Sequence, residues 1–111
     1  MRITTSVIED EIVLIEVVGE VNARTARRLE ETFNNLLAQG HSRLVLDASH
    51  MEYISSVGLR VLLDAQREAR QVGGEVRITG PNAFVWHIIK LAGFEKLLHV
   101  SDTRQKALEN W

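Results

Sequence analysis

The sequence predicts a single-domain α/β fold over residues 1–111, with a mixed sheet of four to five strands and about four helices. Three observations carry that reading. Runs of aliphatic and β-branched residues alternate along the chain with stretches whose apolar positions recur at helical spacing. Gly73-Gly74 and Gly80-Pro81 separate such stretches, as turn residues do. A length of 111 residues with 45% hydrophobic content suffices for one core without disulfide or metal staples.

The elements follow in order. Ile3 to Ile8 is short and partly alternating, the acidic cluster Glu9-Asp10-Glu11 follows, and Ile12 to Val18 is almost continuously aliphatic. This reads as a hairpin leading into a buried strand that Gly19 closes. From about Arg24 the period changes: Ala26, Leu29, Phe33, Leu36 and Leu37 define an amphipathic helix ending at Gly40. Its first turns hold Arg24, Arg27 and Arg28, with Glu31 placed to pair with the latter two. Arg43 to Asp47 is a further strand, and Gly58 to Val72 a second helix, with residues 58, 61, 62, 65, 69 and 72 all small or apolar. Glu75 to Thr79 is a strand, and Asn82 caps a short helix to about Ala92 that is apolar nearly all round. Leu97 to Val100 forms a short last strand, and Ser101 or Asp102 caps a polar helix ending near Trp111. Strands separated by helices pair in parallel through right-handed crossovers, so the initial hairpin makes the sheet mixed.

Composition narrows the function. With no cysteine, thiolate metal sites, disulfides and cysteine nucleophiles are absent, and a reducing cytoplasm is the expected location. Thirteen basic against fifteen acidic residues give a net charge of -2, which argues against nucleic acid as a partner. Glu9, Asp10 and Glu11 interrupt the apolar amino-terminal stretch, so neither a signal peptide nor membrane insertion is expected. Neither glycine-rich nucleotide fingerprint occurs. The histidines at 41, 50, 87 and 99 are scattered without metal-ligand spacing, so no metal and no cofactor are expected. The surroundings of Ser56 are not G-x-S-x-G, which disfavours a hydrolase. Asp47, read as the carboxyl end of a strand, and Ser49 nearby border a weak candidate site for a nucleotide phosphate.

The stretch YISSVGLR, residues 53 to 60, joins a strand pattern to a helix pattern. Serine is a preferred amino-terminal helix cap, worth about 1 kcal/mol, so capping alone accounts for one of Ser55 and Ser56. On the helix that follows, the stripe Val61, Leu62, Ala65 and Ala69 supplies the core face. Leu59 and Leu63 stack on a neighbouring face beside Arg60 and Asp64, where they suit a partner. Arg24 and its neighbours form a basic edge that suits an acidic surface.

RLVLDASHMEYISSVGLRVLLDAQREARQVGGEVRITG, flanked by GEVNARTARRLEE and LAGFEKLLHV, resembles the STAS domain family, in particular its bacterial anti-sigma factor antagonist branch. The resemblance spans nearly the whole chain. It implies a STAS-like fold and a module that binds an anti-sigma factor acting as a serine kinase, and that lets go once one serine is phosphorylated. Aligning Gly58-Leu59 with the family's glycine and leucine places that serine at Ser56. Ser55 then stands where the family has aspartate, Val57 where a small residue is common, and Asn22 where many members carry aspartate. On this resemblance Ser55, Val57, Leu59, Arg60, Leu63, Asn22 and Arg24 form the partner-binding set, and no catalysis is implied. A weak homodimer and weak nucleotide binding at Asp47 and Ser49 are further options. The alternative is a non-switching STAS scaffold or an accessory subunit of a transport ATPase.

Overall fold

Parallel strands joined by helices must cross over, and crossovers that all step the same way across a sheet place their helices on one face. The computed structural model, which describes residues 1–111, follows this rule. Its strands are β1 (Arg2–Val7), β2 (Val13–Val21), β3 (Arg43–Ile54), β4 (Glu75–Thr79) and β5 (His99–Ser101). Its helices are α1 (Ala26–Ala38), α2 (Ser56–Gln71), α3 (Ala83–Leu91) and α4 (Arg104–Ala107). The sheet order is β1-β2-β3-β4-β5, with β1 antiparallel to β2 and the other neighbours parallel. Helices α1, α2 and α3 pack on one face, where Val13, Ile15, Leu44, Leu46, Val76 and Ile78 meet Leu29, Phe33, Leu62, Val85 and Ile89 in one core. The short α4 covers part of the other face with Ala107, over Ile12, Leu14 and Val45.

The largest departure from the expected elements is β3, which runs twelve residues and not five. Its register against β2 shifts twice: Asp47 and His50 lie opposite Glu16 and Val18, and Met51 and Tyr53 opposite Gly19 and Glu20. Each shift inserts an extra β3 residue, so the inward positions run 44, 46, 48, 51 and 54 and break the two-residue alternation. Asp47 is therefore mid-strand and not at a carboxyl end. Strand β2 likewise continues past Gly19, whose φ of 101° lets the chain bend within the strand.

Other boundaries move less. Helix α2 starts two residues earlier than expected, and Val72 ends it exposed. The last helix is a single turn capped by Thr103, whose Oγ1 accepts the Lys106 N–H at 3.2 Å. Arg28 donates to the Met1 carbonyl at 2.9 Å in place of the expected pairing with Glu31. Trp111 docks over Arg77, 3.9 Å from the guanidinium carbon to the ring centroid. No helix is long and apolar enough to cross a membrane.

Candidate functional site

At the β3–α2 junction the two adjacent serines have different jobs. Ser55 is extended and caps α2, its Oγ accepting the Gly58 N–H at 3.1 Å while its carbonyl accepts the Leu59 N–H at 2.9 Å. The Ser55 N–H donates to the Val21 carbonyl at 2.8 Å, which ties the start of α2 to the end of β2. Ser56, one residue on, is the first helical residue and is exposed, and its hydroxyl has no partner within the chain. The N–H groups of Ser56 and Val57 are also without an acceptor in the chain. A helix start with free amides carries partial positive charge and favours an anion.

Gly58 makes this geometry possible. A Cβ there would lie 2.8 Å from both Ile54 Cγ1 and Val21 Cγ1, so glycine lets the first turn of α2 sit directly on the ends of β2 and β3 without displacing these side chains. Below it the helix presents one stripe outward. Ser56, Val57, Arg60, Leu63, Asp64, Arg67 and, beyond α3, Phe94 line a groove of about 480 Å³. Helix α2 packs along α1 but touches α3 little, which leaves that groove open. Val57 is 46% exposed and adds apolar surface to that groove. The stripe holds two arginines against one aspartate, with Arg67 and Asp64 3.9 Å apart.

Several expected site residues gather here and others do not. Ser56, Val57, Arg60 and Leu63 lie together on α2, with Ser55 as its cap. Leu59 does not join them: it is 3% exposed and belongs to the core, which corrects its expected partner-facing role. Leu59 shares a helical row with Leu62, Gln66 and Ala69, all buried, and Gln66 accepts the Val76 N–H at 2.6 Å, so that row faces the sheet. Asn22 and Arg24 lie in the β2–α1 turn, beside Ser55 through the Val21 carbonyl bond. The Asn22 Oδ1 accepts the N–H groups of Arg24 and Thr25 at 3.0 and 2.9 Å, so that side chain shapes the turn, while Arg24 is exposed. Phe94 and Arg67 were not singled out by sequence reasoning. The signal for Phe94 is Gly93, which ends α3 and turns the chain so that the Phe94 N–H reaches the Ile89 carbonyl at 3.0 Å.

Asp47 and Ser49 lie on the other face of the sheet from the core that α2 helps to form. The Asp47 carboxylate accepts the Ser49 N–H at 2.9 Å and the Arg104 guanidinium at 2.7 Å. Burial pushes its pKa up, but the Ser49 and Arg104 hydrogen bonds outweigh that and hold it below the usual carboxylate range. These two residues therefore do not border one site with Ser56. No group of histidine and carboxylate side chains in the chain is arranged to hold a metal ion.

Likenesses to a family and to known proteins place the chain. The STAS domain model matches residues 4–107, and the chain belongs to the STAS domain family. The protein BtrV of Bordetella bronchiseptica, named as a candidate anti-sigma factor antagonist, is 35% identical over 89 residues, 80% of this chain and 77% of BtrV. The crystal structure of a Thermotoga maritima protein, described as a candidate anti-sigma factor antagonist, superposes with a TM-score of 0.89 at 23% identity, covering 96% of this chain and 92% of that one. The anti-sigma factor antagonist SpoIIAA shares the fold in its unphosphorylated form, with a TM-score of 0.83 at 17% identity, covering 97% of this chain and 94% of that one. Its phosphorylated form, from Bacillus, also shares it, at 0.75 and 16%, covering 97% of each chain.

Proposed function

We propose that this STAS domain protein is an anti-sigma factor antagonist. It binds an anti-sigma factor that is also a serine kinase through the outward stripe of α2, and phosphorylation of Ser56 ends that binding. On this reading the chain acts in the cytoplasm, regulates transcription indirectly, needs no cofactor and catalyses nothing itself. The observation that carries the reading is the division between the two serines: Ser55 satisfies the helix start, and Ser56 stands beside it exposed and unpartnered.

The physical chemistry supports a switch. A phosphate on Ser56 would bring about -1.5 to -2 charge and three acceptor oxygens to a helix start with two free amides. Arg60, one turn along the same stripe, is a second source of positive charge. The domain thus tolerates the group without refolding, and the persistence of the fold in phosphorylated SpoIIAA fits that tolerance. The stripe changes sign, however, from two arginines and one aspartate to net negative. A partner packed on Val57 and Leu63 would then have to strip or pair the new charge, a cost of several kcal/mol if it is left unpaired.

The test is a titration of the chain against its anti-sigma factor kinase by calorimetry. Ser56→Ala retains the affinity of the native chain, and Ser56→Asp weakens it by about tenfold or more for each 1.4 kcal/mol lost. Equal binding by all three forms would overturn the switch and favour a non-switching scaffold or an accessory subunit of a transport ATPase.

A further inference from the structure

The sheet ends in two unlike edges. Strand β5 is three residues long, too short to offer much backbone to another chain. Strand β1 is six residues long, RITTSV, and its ladder with β2 runs from Arg2 to Val7 without a register shift. From Ile3 to Val7 it carries no charge, no proline and no bulge, the devices that normally keep an edge strand from pairing. The turn sets the phase of that edge. The Ile8 N–H donates to the Ile12 carbonyl at 2.7 Å, and hydrogen-bonded pairs alternate along an antiparallel ladder. Arg2, Thr4 and Ser6 therefore direct their backbone groups at β2, whereas Ile3, Thr5 and Val7 direct theirs away from the sheet.

We propose that this edge is a homodimer interface in which β1 pairs antiparallel with β1 of a second copy, about a two-fold axis through Thr5. The two five-stranded sheets then form one continuous sheet. In this register Thr5 lies opposite Thr5, Ile3 opposite Val7, and Thr4 opposite Ser6.

Self-complementarity identifies the occupant. Val7 is 62% exposed in the single chain, and the pairing covers it with the Ile3 side chain of the second copy on the same face. Thr5 meets its own hydroxyl counterpart, and no two like charges face each other. Beside the edge, a groove of about 450 Å³ between β1 and α1 is lined by Ile3, Thr5, Arg28, Glu31, Thr32 and Leu36 among others. Its single arginine and single glutamate balance, so two copies meet there without net repulsion. A one-residue slip would set residues of opposite faces against each other, and of the registers that keep the faces only the one centred on Thr5 sets Val7 against the apolar Ile3. The edge is separated from β3, which leads into α2, by the whole of β2.

The native chain contains no cysteine, so single substitutions report the pairing directly. In the proposed register two copies of Thr5→Cys bring their Cα atoms to about 5.5 Å, within disulfide reach, while Ser6→Cys faces Thr4 and not itself. Under mild oxidation Thr5→Cys cross-links at least about tenfold faster than Ser6→Cys. Sedimentation equilibrium of the cysteine-free chain shows a monomer–dimer exchange that Thr5→Lys abolishes. Should Thr5→Lys fail to fold, Thr5→Pro serves as a second variant, since an edge strand accepts proline where its N–H faces outward. A chain that stays monomeric at millimolar concentration with no preference for cysteine at position 5, or a dimer that survives both variants, overturns the proposal. Binding of an added uncharged β-strand peptide by a chain that never dimerises overturns it also, in favour of a strand from another protein.

Discussion

The start of α2 and the carboxyl-terminal tail treat polar groups in opposite ways. At the tail, Arg77 is 5% exposed and donates to the carbonyls of Ala107, Glu109 and Asn110, pairs with Glu75 at 3.0 Å, and lies against Trp111. Arg104 is drawn onto Asp47 and lies 3.7 Å from Glu16. These charges are used up inside the chain. At the start of α2, by contrast, the Ser56 hydroxyl, two amides and the Arg60 guanidinium have no internal partner. Polar groups with internal partners hold the fold together, and those left free are available to another molecule.

The comparison is broken most severely at Arg77. Arg77→Met removes the donor from three carbonyls and releases Trp111, so urea denaturation should show a loss of about 3 kcal/mol while partner affinity is unchanged. Next is Gly58→Ala, where the added methyl must displace Ile54 and Val21, at a cost of about 1–3 kcal/mol in the same assay. The serine pair sharpens the contrast within two residues. Ser55→Ala should lose about 1 kcal/mol of stability, whereas Ser56→Ala should stay within about 0.5 kcal/mol of the native chain.

The smallest effect is the pH dependence at Asp47. Its folded pKa lies below the unfolded value of about 3.9, so its contribution is fully present above that value and is lost as pH falls through the folded pKa. The stability gap between the native chain and Asp47→Asn, measured by thermal unfolding, should therefore be constant at neutral pH and narrow below about pH 4.

The element order and the α2 site were legible in the sequence for separate reasons. Aliphatic runs divided by glycine pairs mark strands and crossover helices, and in Y-I-S-S-V-G-L-R two serines before a helical pattern signal a cap without saying which serine supplies it. The second half of β3 was not legible, because two register shifts scramble the alternation of DASHMEYI. That error put Asp47 at a strand end. Leu59 was misread for a different reason: it stands at i, i+3, i+7 and i+10 with Leu62, Gln66 and Ala69, and the polar Gln66 in that row hides its burial. Phe94 came from a segment with no periodic pattern, and its place in the groove depends on how α3 ends. Arg77 reads as an ordinary strand cation, and only the return of the last residues across β4 reveals its role.

Ser56, and not Ser55, is the residue we propose another molecule acts upon. The most direct measurement is to incubate the chain with ATP and an extract of its native cells, then locate phosphate by fragmentation mass spectrometry. Phosphate is expected on Ser56, absent from a Ser56→Ala control and never on Ser55. An unmodified chain in an extract that phosphorylates other serine substrates, or phosphate on Ser55, would contradict the proposal.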